Sequence, residues 1–184
     1  MIIDLTRSTS PFSLREKALR ALWTYFAWPL VSRLPRPFGS TVRVLVLRFF
    51  GAHIGKCCLI ESGCFVWIPW NLELSDYVAI GRAVEIYNYA RIRIERMTVV
   101  SQYCYLCTGT HDYTHPHMPL TWSDITIGSM CWIAAGSWVL PGVDIGDGTV
   151  VGARSLVTKN LPEWTVCAGH PCVPLKVRHL QPIV

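Results

Sequence analysis

The chain has 184 residues and a net charge of +5, with 51% hydrophobic and 16% charged residues. That apolar content excludes a disordered chain and suits a single domain, or a domain with an arm. The charge is local, because residues 1–56 hold nine Lys/Arg against Asp4 and Glu16, net +7, while the remainder is net −2. These basic residues sit among Trp and Phe without a nucleic-acid-binding motif, so no nucleic-acid partner is expected. No run reaches the roughly 18 apolar residues of a membrane span, and no apolar stretch follows Asp4 and Arg7 as in a signal peptide. The expected location is cytoplasmic.

Ser13-Leu14-Arg15-Glu16 is a capping box and predicts a helix beginning at Leu14. Leu14, Ala18, Ala21, Leu22 and Tyr25 form one apolar stripe, and Leu19, Trp23, Phe26 and Leu30 form another. Pro29 weakens this helix, and Pro35-Arg36-Pro37 reads as a linker or turn. A second apolar stretch, Val42 to Phe50, is punctuated by Arg43 and Arg48. A helix that is apolar nearly all round is buried in protein or touches lipid. Residues 1–50 are therefore expected to cap the end of the domain that follows, to lie on the inner face of an anionic membrane, or to do both.

From residue 51 the chain repeats. Ile54, Ile60 and Val66 are six apart, as are Leu74, Ile80 and Ile86, and then Ile94, Val100 and Leu106. A longer run follows: Ile127, Ile133, Val139, Ile145, Val151 and Val157. Four residues after each member of that run stand Cys131, Ser137, Val143, Thr149, Ser155 and Leu161, most of them small. A branched aliphatic every six residues, with a small residue four later, is the pattern of a coil of three short flat strands. Each strand sends one large side chain into a narrow interior and one small side chain into a tight corner. Stacked coils pair strand over strand at about 4.8 Å, and glycines such as Gly55, Gly81, Gly128, Gly146 and Gly152 relieve the corners. About five coils are predicted over residues 51–178, with 179–184 as a tail.

The repeat breaks between Leu106 and Ile127, a gap of 21 residues that reads as three more than a full coil. The extended loop, 108–125, contains Thr108-Gly109-Thr110-His111-Asp112-Tyr113-Thr114-His115-Pro116-His117, with three of the six histidines. A loop thrown from a rigid solenoid is a natural place for function. Cys104 and Cys107 ahead of His111 and His115 invite a zinc reading. Cys58, Cys64, Cys104 and Cys131, however, hold the small position of the repeat, so no metal site and no disulfide framework are expected.

The strings NLELSDYVAIGRAVEIYN, YLCTGTHDY and ITIGSMCWIAAGSWVLPGVDIGDGTVVGARSLVTKNLPEWTVCAGHPCVPLK resemble the hexapeptide-repeat acyltransferases, over about residues 50–178. The resemblance is to the branch of polysaccharide O-acetyltransferases near the maltose and galactoside acetyltransferases. It implies a left-handed parallel β-helix, a homotrimer with active sites between adjacent prisms, and acetyl-CoA as acyl donor. The implied reaction acetylates a sugar hydroxyl of an exopolysaccharide or surface-glycan precursor, free, nucleotide-linked or lipid-linked. His111 matches the catalytic histidine, a general base suited to neutral pH. Asn88, Asp112 and Tyr113 are the candidate acceptor residues, with Asp112 also a candidate to orient an imidazole; a corner role for Asn88 and a surface role for Tyr113 are equally ordinary, and a residue adjacent to the histidine often points elsewhere. Ala134, Ala135, Gly152, Ala153, Thr158, Lys159 and Lys176 are the candidate coenzyme positions, with a backbone N–H near Ala135 as oxyanion donor. Where the family reads Ala-Gly-Asn-Pro, this chain has Ala168-Gly169-His170-Pro171. A non-catalytic trimeric scaffold and N-acetylation of an amino sugar stay open as alternatives.

Overall fold

A computed structural model describes residues 3, 4, 6, 12–35 and 38–181. Arg7 of the basic segment, Arg36 and Pro37 of the expected linker, and residues 182–184 of the tail lie outside the described residues. The six-residue period becomes a parallel β-helix with three faces. His53–Ile54, Leu72–Leu74, Ile92–Ile94, Ile125–Ile127 and Asp144–Ile145 stack as the first face. Leu59–Ile60, Ala79–Ile80, Val99–Val100, Trp132–Ile133, Val150–Val151 and Thr165–Ala168 form the second. Phe65–Val66, Glu85–Tyr87, Tyr105–Cys107, Trp138–Val139 and Leu156–Val157 form the third.

Parallel register places like on like. Ile60, Ile80, Val100, Ile133 and Val151 form one interior column, with Cys167 continuing it. Every aliphatic of the repeat is at most 9% exposed. The small positions do more than save space, because their hydroxyls and thiols donate to corner carbonyls of the next coil. Cys64 Sγ reaches Gly81 O at 3.0 Å, Cys131 Sγ reaches Gly146 O at 3.1 Å, Ser137 Oγ reaches Gly152 O at 2.9 Å, and Thr98 Oγ1 reaches Gly128 O at 2.6 Å. Burial pushes the Cys64 thiol up to about 11, so it stays a neutral donor. Two corners of the coil pass through left-handed backbone. Tyr77, Met97 and Met130 line up at one and Ala83, Tyr103 and Arg154 at the other, with φ between 53° and 62°. The repeated ladder holds these side-chain-bearing residues in a conformation that glycine adopts more readily.

The stack runs past the five coils predicted. Leu161 bridges Ile145, Thr165–Ala168 pairs with Val150–Val151, and Cys172 N–H reaches Leu156 O at 2.8 Å. This sixth, partial coil was hidden because cysteines replace aliphatics at its inward positions. Val173–Val177 folds back antiparallel on Thr165–Ala168 and closes that end.

The other end is closed by helices. Ser13 and Glu16 make the reciprocal capping box, and the helix runs Leu14–Leu22. A wider turn, Trp23–Ala27, follows, with Trp28 N–H bonded to Trp23 O. An i to i+5 bond sets Trp28 one turn above Trp23, so both indoles face the coil, their ring centroids 4.9 Å apart. Pro29 does not end the helix, which continues over Trp28–Ser32 with the proline in its first turn. Phe38–Phe49 forms the last helix and buries Ser40, Arg43, Val44 and Leu47 on one side.

These helices satisfy an edge that no preceding coil covers. On the first side, Arg48 Nη2 donates to Ile54 O at 2.8 Å. On the second, Arg43 Nε donates to Ile60 O at 2.8 Å and Ser40 Oγ accepts Ile60 N–H at 3.0 Å. On the third, Trp23 Nε1 donates to Val66 O at 2.7 Å and Trp28 Nε1 to Cys64 O at 2.8 Å. Such an edge would otherwise invite pairing with another chain. The arm is thus a cap, as one of the two sequence expectations has it. Trp23→Phe keeps an aromatic ring in place but orphans the Val66 carbonyl. We expect a loss of about 1–3 kcal/mol in urea denaturation, and an unchanged midpoint would contradict the capping role.

Candidate active site

At the corner between the third and first faces, Val66 to Leu74 and Ile86 to Ile94 each take eight residues, whereas Leu106 to Ile127 takes 21. The insertion is therefore thirteen residues at one corner, not three beyond a coil as the spacing suggested. The first face resumes undisturbed, with Ile125–Ile127 beside Ile92–Ile94. The inserted chain folds as a hairpin, Gly109–His111 antiparallel to Leu120–Trp122. Its root is closed by Ser123 N–H on Thr108 O at 3.0 Å, while Thr108 Oγ1 accepts the Ala90 N–H at 2.9 Å.

His111 ends the first strand of the hairpin, and its ring is exposed. Its Nδ1 lies 2.7 Å from Met118 O. A carbonyl has no proton to give, so Nδ1 carries the hydrogen and the neutral ring leaves Nε2 as its bare, basic nitrogen. The backbone therefore sets both tautomer and orientation. Asp112 does not orient this ring. Its Oδ1 accepts the Thr114 hydroxyl at 2.6 Å and the Thr114 N–H at 2.9 Å, and these two bonds, the hydroxyl first, hold the carboxyl below its ordinary pKa. Asp112 thus has a turn-forming job. Tyr113 projects from the tip into solvent, 84% exposed. His115 Nδ1 accepts the His117 N–H at 3.1 Å, and His117 Nδ1 lies 2.7 Å from Asp4 O. Asp4 N–H in turn meets Pro116 O at 3.0 Å, tying Asp4 to the tip.

Asn88 is corrected by its burial. It is 0% exposed, its Oδ1 accepting Ile68 N–H at 2.9 Å and its Nδ2 donating to Ile68 O at 2.7 Å. It clamps two coils at the hairpin's edge of the prism and presents no atom to an acceptor.

The expected coenzyme positions fall on two edges. Ala134, Ala135, Gly152 and Ala153 turn the corner between the second and third faces. Ala134 N–H is engaged with Val151 O at 2.9 Å and Gly152 N–H with Cys167 O at 2.7 Å. Thr158 and Lys159 are exposed on the hairpin's own edge, two coils further along, and Lys176 is exposed on the closing strand opposite Val166. Between the two edges, the third face carries a shallow apolar groove lined by Trp138, Leu140, Leu156, Arg154 and His170. A single chain thus brings together the histidine hairpin and Asn88, while the small-residue corner lies on the next edge.

Two features had no distinct mark in the sequence. One is the Met118 carbonyl, which any residue type would supply. The other is a row of aromatic rings beside the hairpin: Trp67, Tyr87, Tyr89 and Trp122, with Tyr87 and Tyr89 hydroxyls 3.1 Å apart.

Comparison with known proteins agrees with this fold. The family model described as bacterial transferase hexapeptide (six repeats) matches residues 124–159. The protein named colanic acid biosynthesis acetyltransferase WcaF, of Escherichia coli (strain K12), is 46% identical over 136 residues, spanning 74% of this chain and 75% of its own. A crystal structure of a maltose O-acetyltransferase from Clostridium difficile 630 superposes with a TM-score of 0.81 at 23% identity, covering 91% of this chain and 90% of that one. The hexapeptide-repeat acetyltransferase VCA0836 of Vibrio cholerae, complexed with acetyl coenzyme A, gives 0.81 at 21% identity, covering 92% of each chain. At these identities the two structures speak to the fold. The chain belongs to the hexapeptide-repeat transferases. Within that family it is an acetyltransferase.

Proposed function

We propose that this chain transfers an acetyl group from acetyl-CoA to a hydroxyl of a sugar in an exopolysaccharide or surface-glycan precursor, with His111 as general base. The observation that carries this reading is the bond from His111 Nδ1 to Met118 O, which leaves Nε2 as the proton acceptor on an exposed hairpin. Nε2 takes the proton from the acceptor hydroxyl as its oxygen bonds to the thioester carbonyl carbon. The tetrahedral oxyanion then collapses, the carbon–sulfur bond breaks, and the departing thiolate takes the proton from the imidazolium. Backbone N–H at Ala135 is the candidate oxyanion donor, since that of Ala134 is engaged in the ladder. The kinship with WcaF and the likeness to VCA0836 complexed with acetyl coenzyme A support donor and acceptor class.

The division of the site between two prism edges supports a trimer whose active site lies between copies. One chain supplies the hairpin with His111 and a neighbour supplies the corner Ala134, Ala135, Gly152 and Ala153. Lys159, with Thr158 next to it in the chain, and Lys176 are the cations offered to coenzyme phosphates. His111→Ala should lower kcat by about 10²–10⁴-fold in an assay of thiol release with a panel of acceptor sugars. Near-normal turnover by a folded variant would remove the assignment.

The reading extends to an acceptor held at a membrane. The outward side of the helical cap exposes Leu14, Tyr25, Leu30, Phe38 and Phe49, each by at least 74%. Arg15, Lys17 and Arg33 are exposed among them, and Glu16 is the one acidic residue between positions 14 and 49. Apolar side chains ringed by cations fit the interface of an anionic leaflet. Among the described residues no helix is long and apolar enough to cross a membrane. The intact protein should co-sediment with phosphatidylglycerol-containing vesicles and release in high salt, whereas Phe38→Ser with Phe49→Ser should not bind. Absence of binding by the intact protein would remove this extension.

A further inference from the structure

We infer that Tyr89 and Trp122 form an aromatic platform that receives the C–H face of the acceptor sugar and sets its hydroxyl at His111. This rests on the reaction proposed above and names two contacts for its acceptor.

The geometry comes from the hairpin register. Gly109 pairs with Trp122, and His111 pairs with Leu120. Directly opposed residues share a face of an antiparallel pair, and so do residues two apart on one strand. His111 and Trp122 are therefore on one face. Gly109 has no side chain there, and that space is filled from below. A Cβ at Gly109 would lie 2.9 Å from Tyr89 Cδ2, with the next nearest atoms also in that ring. Tyr89 and Trp122 are nearly parallel, at 21° with centroids 6.5 Å apart. The absence of a side chain at Gly109 thus lets two rings lie next to the catalytic candidate.

The platform is held rigidly on one side and open on the other. Phe12 stacks on Tyr89 at 5.6 Å and 29°, and Tyr87 meets it edge-on at 5.0 Å. The Arg20 guanidinium sits 4.3 Å from the Phe12 ring centroid and 4.7 Å from that of Trp67. Trp122 meets one aromatic ring among the described residues, that of Tyr89, and is 44% exposed. A large aromatic left open on a functional hairpin, beside a ring anchored from beneath, suits a flat ligand face with apolar hydrogens. A pyranose offers that face, with its hydroxyls directed around the rim toward groups such as Nε2 of His111.

The test uses the full chain and the variants Trp122→Ala and Trp122→Phe. With the best acceptor from the thiol-release panel, Trp122→Ala should raise the acceptor KM about tenfold. It should leave the KM for acetyl-CoA unchanged, and Trp122→Phe should restore most of the loss. Saturation-transfer NMR with methyl β-D-galactopyranoside and methyl β-D-glucopyranoside gives a readout independent of turnover. Saturation should concentrate on the C–H protons of one ring face in the wild type and vanish in Trp122→Ala. Equal saturation in both proteins, no saturation in either, or an unchanged acceptor KM would overturn the platform. His111→Ala tests the base separately: its loss of turnover alongside an unchanged Trp122→Ala keeps the reaction and rejects the platform.

Discussion

The side of the prism has a fixed length, and almost everything else follows from that. One branched aliphatic must point inward on each side of each coil, and the strand above must place its own at the same height. Ile94 on Ile127, Val100 on Ile133 and Leu106 on Val139 satisfy this across the very point where thirteen extra residues leave the stack. A residue added within a side would turn every later side chain outward. Added at a corner, it costs only the closure of a loop. The hairpin of His111 is therefore where the fold tolerates it, with its root tied by Thr108 and Ser123 to the corner it departs from.

The same constraint creates the two ends that must be finished. A coil satisfies its strands through its neighbours, so the first and last coils each have one bare edge. The C-terminal end closes with an antiparallel strand, which is backbone on backbone. The N-terminal end uses side chains: Arg48, Arg43, Ser40, Trp23 and Trp28 reach one group after another around the triangle. Two of the basic residues that made this segment look electrostatic are spent on carbonyls, and burial lowers the pKa of Arg43. The apolar residues left over, among them Leu14, Tyr25, Leu30, Phe38 and Phe49, are exposed, so the proposed contact with lipid draws on residues that capping does not use.

The period carried the fold because it is written in side chains: the inward aliphatics, the small corner positions and the capping box all landed where the residue types required. The last, partial coil is hidden from the period because Cys167 and Cys172 stand at its inward positions. The size of the insertion is set by the eight-residue corner it enlarges, which the six-residue period does not mark. The candidate site was less legible, for a physical reason. The atom that orients His111 is a main-chain oxygen, and Asp112, the carboxylate next to it in sequence, bonds forward to Thr114 instead. Asn88 is a residue of the right type in the right region, yet its amide is consumed by Ile68. Tyr89 and Trp122 meet because Gly109 lacks a side chain, a coincidence of register across the hairpin that no local spacing reveals.

The proposed chemistry depends on an imidazole whose proton is fixed by the backbone before any substrate arrives. Nitrogen-15 NMR of the neutral His111 ring at alkaline pH, assigned by comparison with His111→Ala, reads that directly. We expect the hydrogen on Nδ1 and a bare Nε2. A neutral ring with its hydrogen on Nε2 would contradict the hairpin geometry and, with it, the general base.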